Sequence, residues 1–283
     1  MYITVDVGST NIRIAGSRDL ENLTEPVIKR TPQEYSEGIA HIADTAGGIA
    51  QGESIDAIAI GIPARLTLDR RGLYKNRNLP DWDGRMIADD LEKTLSTRAY
   101  LENDTMQVGQ GEAVFGAGKG SRIVVYMTVS TGVNAVRVVD GKIEPSVYGY
   151  ETGFQYLSTD ENPVDLMDLI AGRAVAEKYG KHPKELGKDN PVWEELARTT
   201  AIGLHNTVLH WSPDKVVLGG SMFNDIGISV DRVQFHLKTI MKAFPTIPEI
   251  VHSSLGDIGG LWGGLALLRQ GYEGQARLKQ LRS

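Results

Sequence analysis

Residues 2–16, YITVDVGSTNIRIAG, and residues 125–141, VYMTVSTGVNAVRVVDG, repeat one pattern from which the fold class can be inferred. Each begins with a run rich in β-branched residues, turns through Gly, Ser and Thr, and continues in a second β-branched run that ends at a glycine. Such a pattern predicts a β-hairpin. In a turn of small residues, main-chain N–H groups and hydroxyls can converge on phosphate oxygens. Because one hairpin opens each half of the chain, we expect two lobes that bind one phosphorylated ligand.

The segments that follow each hairpin alternate between strand and helix patterns. Buried strands are predicted at residues 55–62, 99–102 and 215–218. Helices are predicted at residues 39–49, 85–95, 103–115, 164–179, 192–211 and 229–242. This alternation predicts α/β sheets whose faces are covered by helices. The uncharged stretch GGLWGG at residues 259–264 predicts close helix packing rather than a phosphate loop.

Length, charge and composition exclude several classes of protein. A chain of 283 residues can bury a sizeable core and form two lobes. Its net charge of −6 argues against nonspecific nucleic-acid binding, and the absence of cysteine excludes disulfides and Cys-type zinc sites. No apolar run approaches the ~18 residues of a membrane span. Because the first strand begins at Tyr2, a signal peptide is not expected, and we predict a cytoplasmic protein without nucleic-acid or membrane partners.

A carboxylate stands beside the first turn. A phosphate-binding turn tolerates a neighbouring carboxylate when a cation lies between them, so we expect Asp6 to hold Mg²⁺ through water. Gly8, Ser9 and Thr10 would then contact the phosphates of a nucleotide. The alternative is an ordinary hairpin turn in which local N–H groups satisfy Asp6.

A second polar group, Glu102-Asn103-Asp104, lies where a predicted strand opens into a helix. Ligands of α/β sheets bind at the carboxyl ends of strands. A carboxylate there can accept the proton of an attacking hydroxyl, and the neighbouring amide can orient another hydroxyl. The alternative is a helix N-cap, since Asn and Asp are the usual capping residues.

The second half of the chain supplies further candidates. Thr131 and Gly132, in the second hairpin turn, would contact the outer phosphates. Gly219 and Gly220 follow a buried strand, where a base or ribose could lie against bare backbone; the alternative is a tight strand-to-helix turn. Glu151 lies in a loop between two glycines and is either a ligand or an exposed turn residue.

In their order along the chain, these motifs resemble those of the ROK family of sugar kinases, which shares its core with actin and the heat-shock ATPases. The matching stretches are residues 6–10, 61–63, 78–82, 102–104, 128–135 and 217–221. The resemblance implies a two-lobed, actin-like (ribonuclease H-like) α/β ATPase fold, each lobe a mixed sheet flanked by helices, with a cleft between the lobes. We place the N-terminal lobe, with the sugar and first phosphate motifs, at 1–117 plus 268–283. The C-terminal lobe, with the second phosphate and adenosine motifs, would span 118–267.

The resemblance also implies an activity, namely phosphorylation of a hexose by ATP with Mg²⁺, at the C6 hydroxyl as in glucokinases. Asp104 would be the catalytic base. Asn78, Asn103, Glu151 and Arg65 would hold the sugar. Because the family is often dimeric, a homodimer is expected.

Three departures from the family pattern bear on the substrate. Phe154 replaces the motif histidine, and the Cys-rich loop is absent, so no zinc site is expected. The second sugar-binding Glu falls on Met167, with Asp165 or Asp168 as possible substitutes. These departures leave the identity of the sugar open, including an acylated amino sugar or a polyol. They also motivate an alternative function, a non-catalytic sugar or nucleotide sensor on the same scaffold.

Overall fold

The computed structural model describes residues 1–76 and 79–269, and the chain divides into two compact units. Of the described residues, the first unit contains those of Met1–Phe115, Lys142–Gly149 and 255–269, and the second contains Gly116–Gly141 and Tyr150–Ser254. Three segments therefore group differently from the predicted bounds. Residues 142–149 and 255–267 group with the first unit, and residues 116–117 group with the second.

The sheet of the first unit has the strand order β3-β2-β1-β4-β7. Its strands β1 and β2 form the predicted antiparallel hairpin, β3 continues it at the edge, and β1, β4 and β7 run parallel. A separate two-stranded sheet pairs β5 with β6. The strands are β1 (Tyr2–Val7), β2 (Asn11–Ser17), β3 (Val27–Arg30), β4 (Ala57–Ile62), β5 (Arg65–Leu66), β6 (Leu73–Lys75) and β7 (Arg98–Asn103).

Three of the helices of this unit are α1 (Tyr35–Ala50), α2 (Ile87–Leu95) and α3 (Asp104–Val114). Alternate residues of β1 point to opposite faces of the sheet. On one face, Ile3 and Val5 are fully buried in a core shared with α1 and α2. The other face presents the polar side chain of Thr4, whose hydroxyl donates to the carbonyl oxygen of Leu261 at 2.9 Å.

The sheet of the second unit repeats this design. Its strands lie in the order β9-β8-β11-β12, with β8 and β9 antiparallel and β8, β11 and β12 parallel. They are β8 (Ile123–Val129), β9 (Val133–Val139), β11 (Lys215–Gly219) and β12 (Glu249–His252), while β10 (Lys142–Ile143) falls in the segment that groups with the first unit. The predicted fold class, mixed sheets flanked by helices, is therefore confirmed.

The helices of the second unit are α4 (Leu166–Ile170), α5 (Gly172–Tyr179), α6 (Val192–Trp211) and α7 (Val230–Ile240). The single helix predicted over 164–179 was wrong, because the chain is extended at Ala171 and separates α4 from α5. The N–H of Gly172 donates to the carbonyl oxygen of Ser130 at 2.7 Å instead of continuing a helix. A contact distant in sequence thus overrides a continuous helical pattern.

The last described helix, α8 (Gly259–Arg269), packs against β1, β4 and α3 in the first unit. A Cβ at Gly263 would lie 1.7 Å from the carbonyl oxygen of Gln107, and one at Gly264 would lie 2.0 Å from the Thr4 hydroxyl. The interpretation of residues 259–264 as a helix-packing surface is confirmed. This packing also explains why residues 255–269 belong to the first unit. Within the described residues, no helix is both long and apolar enough to cross a membrane.

Candidate functional site

The first hairpin turn connects β1 to β2 through residues 8–10. The N–H of Gly8 donates to the carbonyl oxygen of Asn11 at 2.9 Å, and a Cβ at Gly8 would lie 3.0 Å from that oxygen. Ser9 and Thr10, at the tip, are both exposed. The turn therefore presents small residues and their main chain at the surface, as a phosphate-binding turn requires.

Thr31, which directly follows β3, braces this turn and was missed by the sequence analysis. Its hydroxyl donates to the carbonyl oxygen of Gly8 at 2.6 Å, and its N–H donates to the carbonyl oxygen of Thr10 at 2.9 Å. The Thr31 residue is buried. No local pattern marks it, because its role depends on the pairing of β3 with β2.

Asp6 lies on β1 directly opposite Arg13 on β2, and their closest charged atoms, Oδ2 and Nη1, are 3.6 Å apart. Its side chain belongs to the face of the sheet that α8 covers. A Cβ at Gly260 would lie 2.6 Å from Cγ of Asp6, so only a glycine on α8 leaves room for this carboxyl group.

The electrostatic surroundings of Asp6 are unfavourable to a carboxylate. The pKa of Asp6 is raised to about 7, first by burial and then by the negative charge of Asp104, while the positive charge of Arg13 opposes both effects. A hard cation bound to oxygen donors would relieve this destabilisation, because it attracts both carboxylates. The donor chemistry of the Asp6 and Asp104 pair therefore fits Mg²⁺.

Asp104 is the first residue of α3 and Asn103 is its N-cap. The side-chain oxygen of Asn103 accepts from the N–H groups of Thr105 at 3.0 Å and Met106 at 3.3 Å, and its amide donates to the carbonyl oxygen of Ala64 at 3.3 Å. Asn103 therefore caps α3, as the alternative interpretation of the sequence predicts. Its role as a sugar ligand stays a prediction that relies on its remaining N–H.

A buried ion pair lies beside these residues and was also missed. Arg70, which has a left-handed backbone with φ of 56°, pairs with Oε2 of Glu102, and both side chains are largely buried. The other carboxylate oxygen of Glu102 accepts from the N–H of Asn103 at 2.8 Å. The pair therefore links the β5–β6 connection to the end of β7, where the catalytic base is predicted.

Of the two other sugar ligands predicted in the first unit, the structure describes only Arg65. Arg65 is exposed on β5. Asn78 lies outside the described residues.

In the second unit, the turn between β8 and β9 is closed by a hydrogen bond from the N–H of Ser130 to the carbonyl oxygen of Gly132, at 2.8 Å. Thr131, at its tip, is exposed. The hydroxyls of Ser130 and Ser221 are 3.0 Å apart, so this turn adjoins the loop that follows β11. Two predicted phosphate and adenosine elements are therefore neighbours within this unit.

The glycine pair at the end of β11 brings backbone close to β8. A Cβ at Gly219 would lie 2.7 Å from the Tyr126 hydroxyl oxygen. Gly220 has φ of +95°, and a Cβ there would lie 2.4 Å from the carbonyl oxygen of Val129. The pair forms a tight turn into the short helix Ser221–Phe223, which was the alternative weighed above, and it leaves bare backbone at the carboxyl end of the strand.

Asn134, on β9 after the second turn, has a structural role. Its side-chain amide donates to the carbonyl oxygen of Tyr150 at 2.7 Å, and its side-chain oxygen accepts from the N–H of Thr152 at 3.1 Å. Asn134 thereby holds the loop that carries Glu151, which is exposed.

The surroundings of this loop are apolar on one side. Met167 is partly buried, and a Cβ at Gly153 would lie 2.8 Å from its terminal methyl group. Asp165 caps α4 by accepting from the N–H of Asp168 at 2.9 Å, while Asp168 lies 3.6 Å from Arg173 in an exposed ion pair. Phe154 is 39% exposed, so it is not part of the buried core.

With this geometry established, comparison with known proteins identifies the family. The family model of the ROK family matches residues 2–271. The chain belongs to the ROK family. Among its relatives, the glucokinase of Streptomyces coelicolor is 24% identical, with 95% of this chain and 98% of the relative covered. The fructokinase of Pediococcus pentosaceus is 26% identical, with 75% and 80% covered.

The fold is likewise shared with solved structures of the ROK family. The structure of a ROK family glucokinase from Streptomyces griseus, in complex with glucose and AMPPNP, matches with a TM-score of 0.78 and 22% identity. The match covers 95% of this chain and 99% of that one. The predicted membership and the actin-like ATPase fold class are confirmed.

Proposed function

We propose that this protein is an ATP-dependent sugar kinase that phosphorylates a hexose at its C6 hydroxyl. The observation that carries the proposal is the pair of neighbouring carboxylates, Asp6 and Asp104, in the first unit, because a kinase needs both a cation ligand and a base. The relatives named as glucokinase and fructokinase support sugar phosphotransfer as the reaction class.

In this mechanism, Asp104 accepts the proton of the attacking hydroxyl as its oxygen bonds to the γ-phosphorus, and the bond from that phosphorus to the bridging oxygen breaks to release ADP. Asp104 starts a helix, so its carboxylate also lies in the positive field of the α3 N-terminus. Mg²⁺, held by Asp6 through water, would neutralise part of the phosphate charge.

Each of the other predicted ligands is assigned to one of the two substrates, ATP or the sugar. Ser9 and Thr10 of the first turn, with Thr131 and Gly132 of the second, would donate to phosphate oxygens through main-chain N–H groups and hydroxyls. Gly8, whose N–H donates to Asn11, would contact the phosphates by letting them approach its main chain closely.

The sugar and the base of ATP are assigned to other residues. Gly219 and Gly220 would lie under the adenosine. Asn103, Glu151, Arg65 and Asn78 would bind the sugar.

ADP release measured with Mg-ATP across hexoses, amino sugars and polyols tests the proposal. Asp104→Asn is the informative variant because its side-chain oxygen can still accept from the N–H of Thr105, as Asp104 does at 2.7 Å. We expect turnover to fall by at least the ~10²-fold typical of general-base removal, with sugar binding retained. Asp231→Asn, a change in the first turn of α7, is the matched control and should leave turnover unchanged. Near wild-type turnover of Asp104→Asn would refute the assignment of the base.

A second candidate, a non-catalytic sensor of sugar or nucleotide, is favoured by one observation. Met167 packs beneath Gly153 where the family resemblance places an acidic sugar ligand, and Asp165 and Asp168 are engaged elsewhere. A sensor would bind a sugar or ATP without turnover of any member of the panel. Retention of both Asp6 and Asp104 favours the kinase, since a sensor requires neither group.

On the family resemblance we further propose that the protein acts in the cytoplasm as a homodimer. Sedimentation equilibrium measures its oligomeric state directly.

A further inference from the structure

We propose that Thr31 is a positioning residue that prepares the first turn to bind the phosphates of the nucleotide. The inference rests on the proposed function, in which residues 8–10 contact these phosphates. Thr31 does not touch the ligand itself. It acts by donating hydrogen bonds to the carbonyl oxygens of Gly8 and Thr10.

At the first turn, main-chain carbonyl oxygens are engaged in hydrogen bonds, whereas main-chain N–H groups at the tip are not. The carbonyl oxygen of Gly8 accepts from the Thr31 hydroxyl, that of Thr10 accepts from the Thr31 N–H, and that of Asn11 accepts from Gly8 N–H. In the part of the chain that the structure describes, the N–H groups of Ser9 and Thr10 have no hydrogen-bond partner, and both residues are exposed.

This distribution suits an anion. A carbonyl oxygen that pointed toward a phosphate would repel it, whereas N–H groups attract it. By engaging the carbonyl oxygens of Gly8 and Thr10, Thr31 leaves the N–H groups and hydroxyls of Ser9 and Thr10 available to the ligand. Preorganisation of this kind lowers the free energy that the protein must spend on ordering the turn when the nucleotide binds.

The two bonds made by Thr31 can be separated experimentally. Thr31→Val keeps the shape and the main-chain N–H but removes the hydroxyl, so the carbonyl oxygen of Gly8 loses its donor. Thr31→Ser keeps the hydroxyl and should restore the wild-type behaviour. Thr24→Val is a matched control, since Thr24 also uses its main-chain N–H and its hydroxyl to hold β2, but away from the turn. Its N–H donates to the carbonyl oxygen of Gly16 at 2.8 Å, and its hydroxyl accepts from the N–H of Gly16 at 2.9 Å.

Calorimetric titration with Mg-AMPPNP, without sugar, measures nucleotide affinity independently of turnover. We expect Thr31→Val to bind about five- to tenfold more weakly, the factor that corresponds to one hydrogen bond. Thr31→Ser and Thr24→Val should stay within about twofold of the wild type. In the ADP-release assay, KM for ATP should rise in Thr31→Val while KM for the sugar is unchanged.

The outcomes separate this inference from the proposed function. Equal nucleotide affinity of wild type and Thr31→Val overturns the role of Thr31 alone. An equal loss in Thr24→Val and Thr31→Val also overturns it, because the effect would then reflect general destabilisation. A wild-type protein that binds no nucleotide overturns both proposals. If Thr31→Val does not fold, Thr31→Ala replaces it, and the same outcomes apply.

Discussion

Replacing Asp6 by asparagine should make the metal-free protein more stable at alkaline pH. The pKa of this carboxyl rises from 3.8 in the unfolded chain to about 7 in the folded protein, so the folded state holds the proton more tightly. Below pH 3.8, the pKa in the unfolded chain, Asp6 is protonated in both the folded and the unfolded state and does not lower the folding stability. As pH rises from about 4 to about 8, Asp6 loses its proton more readily in the unfolded state than in the folded state, so the folding stability decreases.

The magnitude follows from the size of the shift. A rise from 3.8 to about 7 is about 3 pKa units, and at 1.36 kcal/mol for each unit the group destabilises the folded state by about 4 kcal/mol above pH 8. The side chain is only 16% exposed, so solvent screens this effect little. Asp6→Asn has no proton to lose and escapes the penalty.

Urea unfolding of both proteins in EDTA, followed by the fluorescence of the four tryptophans, measures the difference. Relative to wild type, Asp6→Asn should gain about 4 kcal/mol between about pH 4.5 and about pH 8.5. Added Mg-ATP should recover stability at the higher pH in the wild type but much less in the variant. Parallel pH curves for the two proteins, or a difference that grows toward acid pH, would refute the reasoning.

Two further predictions concern packing around the candidate site. Gly260→Ala should destabilise the protein by about 1–3 kcal/mol in thermal or urea unfolding, because its Cβ would lie 2.6 Å from Asp6. Gly47→Ala, inside α1 with no atom within 4 Å of its Cβ, should instead stabilise by up to about 1 kcal/mol, and destabilisation there would contradict the packing argument. Arg70→Met should cost about 3 kcal/mol because it leaves Glu102 buried without its ion-pair partner. Adding Glu102→Gln should recover part of that loss in a double-mutant cycle, whereas simple additivity of the two losses would show that the pair is not coupled.

Local sequence predicted much of the fold because strand and helix patterns are properties of neighbouring residues. Both hairpins, the helix α6 and the packing role of residues 259–264 followed from β-branched runs, helical periodicity and uncharged glycines. The candidate residues Asp6 and Asp104 were also found, since each lies beside a turn or at a strand end. Their assigned roles remain predictions.

What the sequence missed depends on contacts between segments that are distant along the chain. The break at Ala171, the brace from Thr31 and the Arg70–Glu102 pair each join residues that local pattern cannot relate.

The raised pKa of Asp6 has the same origin. The residue and its turn are evident in the sequence, but its burial beneath α8 and the proximity of Asp104 exist only after folding. Local sequence thus indicates most of the helices and strands and the polar groups that they carry. How strongly those groups interact depends on the folded chain, because burial and charge proximity are set by distances between segments that are far apart in sequence.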